Sequence, residues 1–373
     1  MLSTHLLFLA TTLLTSLFHP IAAHVAKRSG SLQQITDFGD NPTGVGMYIY
    51  VPNNLATNPG IVVAIHYCTG TGPGYYSNSP YATLSEQYGF IVIYPSSPYS
   101  GGCWDVSSQA TLTHNGGGNS NSIANMVTWT INEYGADSKK VYVTGSSSGA
   151  MMTNVMAATY PELFAAGTVY SGVSAGCFYS DTNQVDGWNS TCAQGDVITT
   201  PEHWASIAEA MYPGYSGSRP KMQIYHGSVD TTLYPQNYYE TCKQWAGVFG
   251  YDYSAPESTE ANTPQTNYET TIWGDNLQGI FATGVGHTVP IHGDKDMEWF
   301  GFETLGDEVE KLEGMLLKEG VLPHLWQRVA GVLEGFVFDK YNMNPAVRDA
   351  FITTPAYPTS HLYPQHTLGI FKA

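Results

Sequence analysis

The sequence predicts an α/β fold, a sandwich in which a mostly parallel central sheet is flanked by helices. Three observations carry that expectation: short β-rich runs recur along the chain, several are apolar without interruption, and helix-like stretches lie between them. Strands buried on both faces read as continuous apolar runs, and strands alternating with helices imply parallel pairing through right-handed crossovers.

In chain order, the strand candidates are residues 46–51, 61–66, 90–94, 140–144, 166–171 and 221–226. Among the helix candidates, residues 122–134 place Ile123, Met126, Val127 and Ile131 at helical spacing. The run Thr200-Pro201-Glu202-His203 opens another, with an N-cap threonine and proline at the first helical position.

The composition supports a packed core and narrows the function classes. Hydrophobic residues make up 42% of the 373, enough to exclude general disorder. No heptad-rich composition and no Gly-X-Y period is present, which excludes a coiled coil and collagen. Fourteen Lys and Arg against 31 Asp and Glu give a net charge of −17. That balance argues against nucleic acid, whose phosphates need cationic partners, and equally against anionic membrane surfaces. Neutral substrates and polysaccharides remain open.

The chain divides into four segments. Residues 6–17 form a run of apolar residues and Thr/Ser too short to span a bilayer, followed by Pro20 and the small pair Ala22-Ala23, so residues 1–23 read as a secretion signal. Lys27-Arg28 then supplies a dibasic processing site, which makes residues 24–28 a short propeptide and Ser29 the first residue of a secreted, extracellular chain. No later segment approaches 18 uninterrupted apolar residues, so no membrane anchor is expected. Residues 29–302 carry the α/β pattern. The last 71 residues hold 15 charged side chains, against 30 in the 302 before them. Leu305, Val309, Leu312 and Leu316, then Leu325, Val329, Leu333 and Phe336, follow helical periods, so residues 303–373 read as an atypical helical extension or an irregular chain end. A monomer is the expectation.

Five cysteines, Cys68, Cys103, Cys177, Cys192 and Cys242, form no Cys-x-x-Cys pair, which disfavours a zinc or redox motif. In an oxidising compartment an odd count allows two disulfides and one free thiol. Cys177 with Cys192 would close a short loop and Cys68 with Cys103 a longer one, though the sequence leaves the pairing open. The sequon Asn189-Ser190-Thr191 within the shorter loop marks Asn189 as a glycan acceptor.

The chemistry converges on one serine. Val141-Tyr142-Val143-Thr144 reads as a strand, Gly145-Ser146-Ser147-Ser148-Gly149 follows at once, and Ala150-Met151-Met152-Thr153-Asn154 begins a helix. This is Gly-x-Ser-x-Gly in the strand–turn–helix context that presents a nucleophile on a strained elbow, with Ser147 central. A serine needs a base and an orienting acid, and in the α/β-hydrolase order an Asp or Glu follows, then His. The strand ending Tyr225-His226-Gly227-Ser228-Val229-Asp230 puts Asp230 at a sheet edge. Five histidines follow it: His287, His292, His324, His361 and His366. His287, in Gly284-Val285-Gly286-His287-Thr288, sits in a loop that suits an accessible imidazole, with His292 the runner-up. His66 and His226 end strands and read as core or supporting residues. An oxyanion hole would take one N–H from Ser148 and another from the loop Tyr67-Cys68-Thr69-Gly70-Thr71-Gly72. No His-Glu-x-x-His or His-x-x-x-His pair is present, so neither a metal nor another cofactor is expected.

Four segments together resemble carbohydrate esterase family 1: His66-Tyr67-Cys68-Thr69-Gly70, Gly145-Ser146-Ser147-Ser148-Gly149-Ala150-Met151-Met152, Tyr225-His226-Gly227-Ser228-Val229-Asp230 and Gly284-Val285-Gly286-His287-Thr288-Val289-Pro290. Through Asp296-Met297-Glu298-Trp299-Phe300-Gly301 the text is similar to secreted fungal acetylxylan esterases, over residues 29–302. The resemblance implies a Ser147–His287–Asp230 triad, oxyanion N–H groups from Cys68 and Ser148, and deacetylation of acetylated xylan or xylo-oligosaccharides. The extension after Gly301 departs from the family's short ending and, lacking cysteine, is not the cellulose-binding module that some relatives carry. Trp188 and Tyr179, in the loop between Cys177 and Cys192, are the candidate substrate-binding residues, with Trp188 shortening the acyl pocket, stacking on a sugar or serving simply as a surface anchor. The rival within the fold is a feruloyl esterase; a polyhydroxybutyrate depolymerase and a serine peptidase are more distant, and a non-catalytic carbohydrate-binding protein is the rival from another class.

Overall fold

The computed structural model describes residues 29–302. The expected leader (1–23), propeptide (24–28) and helical extension (303–373) lie outside the described residues. In chain order the elements are β1 (Leu32–Ile35), β2 (Gly46–Tyr50), β3 (Ile61–Ile65), α1 (Gly72–Asn78), α2 (Tyr81–Tyr88), β4 (Ile91–Ser96), α3 (Asn119–Tyr134), β5 (Val141–Ser146), α4 (Ser148–Thr159) and β6 (Ala166–Tyr170). There follow α5 (Ser190–Ala193), α6 (Pro201–Ala210), β7 (Lys221–Gly227), α7 (Gln236–Phe249), β8 (Ser258–Ala261), β9 (Tyr268–Gly274), β10 (Leu277–Ala282) and α8 (Gly293–Phe300).

The strands form one ten-stranded sheet in the order β1-β2-β4-β3-β5-β6-β7-β10-β9-β8. Its central run, from β4 through β3, β5, β6 and β7 to β10, is parallel throughout. The flanking pairs β1–β2, β2–β4, β10–β9 and β9–β8 are antiparallel. The expected α/β sandwich is therefore the observed one. All six expected strands are present, their ends within two residues of the sequence reading.

Side-chain alternation along β3 shows how the layers are filled. Ile61, Val63 and Ile65 join the cluster that takes Ile123 and Val127 of α3, Met152 and Val155 of α4, and Trp204 of α6. Val62 and Ala64 point the other way, into a cluster with Tyr75 of α1, Tyr81 and Leu84 of α2, and Met297 and Phe300 of α8. Both faces are covered, so every residue of β3 is buried. The helix-start signals act as read: the Thr200 hydroxyl accepts from the His203 N–H at 3.3 Å, with Pro201 at the first helical position. Helix α3 begins at Asn119, three residues before the expected start.

Four strands were not anticipated: β1, β8, β9 and β10. Their sequences explain the omission. Strands β1 and β8, Leu-Gln-Gln-Ile and Ser-Thr-Glu-Ala, are polar edge strands, and β9 mixes polar and apolar residues. In β10 Gly279 interrupts the apolar run because the Tyr238 hydroxyl and the Cys242 thiol of α7 occupy the space a Cβ would need.

Candidate active site

The candidate residues follow the ends of three inner strands of the sheet: Ser147 follows β5, Asp230 follows β7 and His287 follows β10. Ser147 stands between β5 and α4 with φ 56° and ψ −121°, a conformation that non-glycine residues rarely adopt. The flanking glycines make the turn possible. A Cβ on Gly149 would collide with the carbonyl oxygens of Ile65 and His66 at the end of β3, and one on Gly145 with the carbonyl of Gly149. The first turn of α4 thus lies directly against the sheet, and the Ser147 N–H donates to the Tyr170 carbonyl of β6 at 2.9 Å.

Asp230 follows β7 in a loop that its own carboxylate organises. Its Oδ1 accepts from the N–H groups of Thr232 and Leu233, at 2.9 and 3.0 Å. Oδ2 accepts from His287 Nδ1 at 2.7 Å. Because a carboxylate can only accept, Nδ1 carries the imidazole proton, which leaves Nε2 as the acceptor. Nε2 lies 2.7 Å from Ser147 Oγ, so the serine hydroxyl donates to it. Burial pushes the Asp230 carboxyl up, but the hydrogen bond and charge of His287 and the Thr232 N–H outweigh it, and the group sits below the usual carboxylate range. A hydroxyl, a neutral imidazole and a buried carboxylate aligned in this way can transfer a proton from oxygen to Nε2 while the developing imidazolium is held in place.

The loop after β3 approaches the same point. Cys68 is bonded to Cys103, and Cys177 to Cys192, while Cys242 is free and buried. His66 supports that loop: its Nε2 accepts from the Ser97 N–H at 3.0 Å, so its protonated Nδ1 donates to the Tyr67 carbonyl at 2.7 Å. Trp104 Nε1 donates to the His66 carbonyl at 2.8 Å. Cys68 and Ser148 both line the cavity into which Ser147 opens. Ser148 is the first residue of α4, where a backbone N–H has no intrahelical partner. The Cys68 N–H makes no backbone hydrogen bond among the described residues.

The cavity measures about 450 Å³, and its walls are largely apolar, with Trp104, Val106, Met151, Phe178 and Leu233 contributing. Among the described residues no group of three or more His, Cys, Asp or Glu side chains is placed to hold a metal ion.

Comparison with known proteins decides the family. Residues 45–258 match the family described as esterase PHB depolymerase, a span that includes Ser147 and Asp230 but stops short of His287. Acetylxylan esterase A of Aspergillus ficuum is 99% identical over 302 residues, 81% of this chain and all of that protein. The chain belongs to the acetylxylan esterase A family. A second member, from Talaromyces purpureogenus, is 75% identical over 302 residues, covering 80% of this chain and 78% of its own. The solved structure of acetyl xylan esterase from Aspergillus awamori superposes with a TM-score of 0.73 at 94% identity, covering 73% of this chain and all of its own.

The remaining candidates of this esterase fall at different distances from Ser147. Trp188 lines the cavity mouth, 58% exposed, with its ring edge-to-face on Phe178 at 5.3 Å. Tyr179 is also exposed but is not part of the cavity wall. Asn189 caps α5, its Oδ1 accepting from the Cys192 N–H at 3.1 Å and its Nδ2 donating to the Cys177 carbonyl at 3.3 Å. A glycan on Nδ2 leaves one N–H and the Oδ1, so cap and glycan are chemically compatible. His292 lies at the N-terminus of α8, stacked on Tyr225 at 5.4 Å, and is not part of the cavity wall. His226 is fully buried, its Nε2 donating to the Leu233 carbonyl at 2.8 Å. His324, His361 and His366 lie outside the described residues. The sequence reading missed Thr232, Leu233, Ser97 and Trp104, whose contributions are backbone N–H groups or contacts distant in sequence. It also missed Asp186, another residue of the cavity wall.

Proposed function

We propose that this esterase removes acetyl groups from acetylated xylan and xylo-oligosaccharides through an acyl-enzyme intermediate on Ser147. The observation that carries the reading is His287, bridging the Ser147 hydroxyl and the Asp230 carboxylate at 2.7 Å on each side, at the wall of the cavity. Membership of the acetylxylan esterase A family supports the substrate. In the proposed reaction Ser147 attacks the acetyl carbonyl as His287 Nε2 takes its proton, and Asp230 holds the tautomer and stabilises the imidazolium. The N–H groups of Cys68 and Ser148 receive the developing oxyanion, each worth about 3 kcal/mol in the transition state. The sugar hydroxyl leaves with the proton from His287, then water repeats the sequence and releases acetate. The two disulfides and the apolar run of residues 6–17 support secretion, with residues 1–23 removed as a signal and 24–28 as a propeptide.

Initial rates of the mature protein on acetylated xylan and on methyl ferulate, beside the Ser147→Ala variant, test the reading. The expected result is rapid acetate release, little ferulate, and a loss of at least about a thousandfold in the variant. Preferential ferulate release would keep the triad and replace the substrate. Acetate release by the variant at the parent rate would remove Ser147 from the chemistry.

A further inference from the structure

Two neighbouring aspartates beside the cavity differ in how they are satisfied. Asp105 is buried and saturated: its oxygens accept from the N–H and hydroxyl groups of Ser107 and Ser108, the Thr111 hydroxyl and the Asp186 N–H. Burial pushes its carboxyl up, yet these donors bring it below the usual range. Asp186 is half-buried, and its carboxylate has no hydrogen-bond or ion-pair partner among the described residues. Burial, and then the charge of Asp105, raise its carboxyl above the usual value.

Asp186 is nonetheless held firmly. Its N–H donates to Asp105 Oδ1 at 3.1 Å, the next N–H, of Gly187, donates to the Ser107 hydroxyl at 2.8 Å, and that hydroxyl lies 2.8 Å from the Gln184 carbonyl. Its φ of 52° is left-handed, a conformation Asp and Asn tolerate better than most residues. The segment that carries it is closed by the Cys177–Cys192 bridge. Asp186 lines the same cavity as Ser147, His287 and Trp188, and among the described residues no Lys or Arg lines that cavity. A fixed carboxylate that meets no donor among the described residues, at a cavity wall to which those residues contribute no Lys or Arg, is matched by a neutral ligand that brings hydroxyl donors. An anionic ligand would be repelled.

We propose that the Asp186 carboxylate anchors the sugar, accepting hydrogen bonds from hydroxyl groups of the xylose unit whose acetyl group enters toward Ser147. This assignment rests on the acetylxylan reading and adds to it the group that recognises the alcohol portion of the ester. Asp186 does not take part in acyl transfer. Its contribution is therefore specific to substrates that carry a sugar, and an aryl acetate reacts without it.

The test is Asp186→Asn, which keeps the backbone N–H to Asp105 and suits the positive φ. The parent and the variant are compared on acetylated xylo-oligosaccharides and on 4-nitrophenyl acetate, and unacetylated xylotriose is used to inhibit the aryl ester reaction. The expected result is a KM about tenfold higher on the acetylated oligosaccharide, matching a lost hydrogen bond to a charged group. Aryl acetate kinetics stay within about twofold, and xylotriose inhibition weakens by about the same tenfold factor. Equal losses on both esters, or xylotriose inhibition identical in the two proteins, would overturn the assignment. A parent protein inert on the acetylated oligosaccharide but inhibited by xylotriose through Asp186 would overturn the proposed substrate and leave the sugar anchor standing.

Discussion

Ser146, Ser147 and Ser148 are chemically identical in sequence, and their surroundings separate them. The Ser146 hydroxyl lies 3.1 Å from the Tyr75 hydroxyl, and the Ser148 hydroxyl accepts from the Trp104 N–H at 2.7 Å. Only the Ser147 hydroxyl meets an imidazole. Position within Gly-x-Ser-x-Gly singles out the same residue, because the motif encodes a backbone shape that can be read locally. Choosing among histidines is harder, since it depends on where a loop returns; the glycines around His287 favoured it over His292 only through accessibility. Nothing local distinguishes Asp105 from Asp186, whose difference arises from donors brought in by the fold. Trp188 makes a prediction at this scale. Its ring lies at the cavity wall against Phe178, where on the proposed reading it would limit the space beside the acyl group. Trp188→Ala is expected to raise kcat/KM on a 4-nitrophenyl butyrate relative to the acetate by about tenfold, the scale of discrimination that methylene-sized differences in an apolar pocket provide. An unchanged ratio across the acyl series would take Trp188 out of acyl selection.

At the scale of elements, legibility followed burial. The six strands read from sequence lie in or beside the centre of the sheet, where apolar side chains fill both faces, whereas β1 and β8 are edge strands with polar faces and carry little periodic signal. The elbow unit was legible because β5, the turn and α4 are contiguous in sequence. The segment overhanging the cavity was legible as a loop between two cysteines that carries Trp188, Tyr179 and the Asn189 sequon, but neither its path nor the place of Asp186 was. Its order comes from the Cys177–Cys192 bridge, with a sequence separation of 15, and from hydrogen bonds to residues 105–109 such as Gln109 N–H to Asn183 Oδ1 at 2.9 Å. Cross-linking a loop of this length restricts the unfolded chain by about 3 kcal/mol on the chain-entropy account. Replacing both cysteines with serine is therefore expected to lower the unfolding free energy by about that amount in a denaturant titration. Activity on acetylated oligosaccharides should fall more than activity on an aryl acetate, because Asp186 and Trp188 ride on the loop. Unaltered stability would mean that the contacts to residues 105–109 order the loop without the bridge.

Over the whole molecule, one carboxylate joins parts of the chain that are far apart in sequence. Asp296 of α8 is completely buried and accepts from the Tyr81 hydroxyl of α2 and the Tyr170 hydroxyl of β6, both at 2.8 Å. The Tyr170 hydroxyl also accepts from the His292 N–H at 3.0 Å, which fixes the end of the segment that carries His287. Asp296 thus ties the helix that closes the described fold to the sheet and, through Tyr170, to the candidate site. Burial raises its carboxyl from 3.8 to about 7, against the two tyrosine hydroxyls, which pull it down. The native state therefore binds this proton more tightly than the unfolded chain does. Stability from Asp296 is fully present below about pH 4, falls as pH rises, and is lost above about pH 7, with a span of about 4 kcal/mol at most. Asp296→Asn cannot titrate, so its unfolding midpoint should lie furthest below that of the parent near pH 4 and approach it by pH 8. Thermal unfolding of both proteins across that range isolates the group, because all other titrations are common to the two. A gap that stays constant with pH would show that Asp296 keeps one protonation state throughout and that the pH dependence of stability arises elsewhere in the molecule.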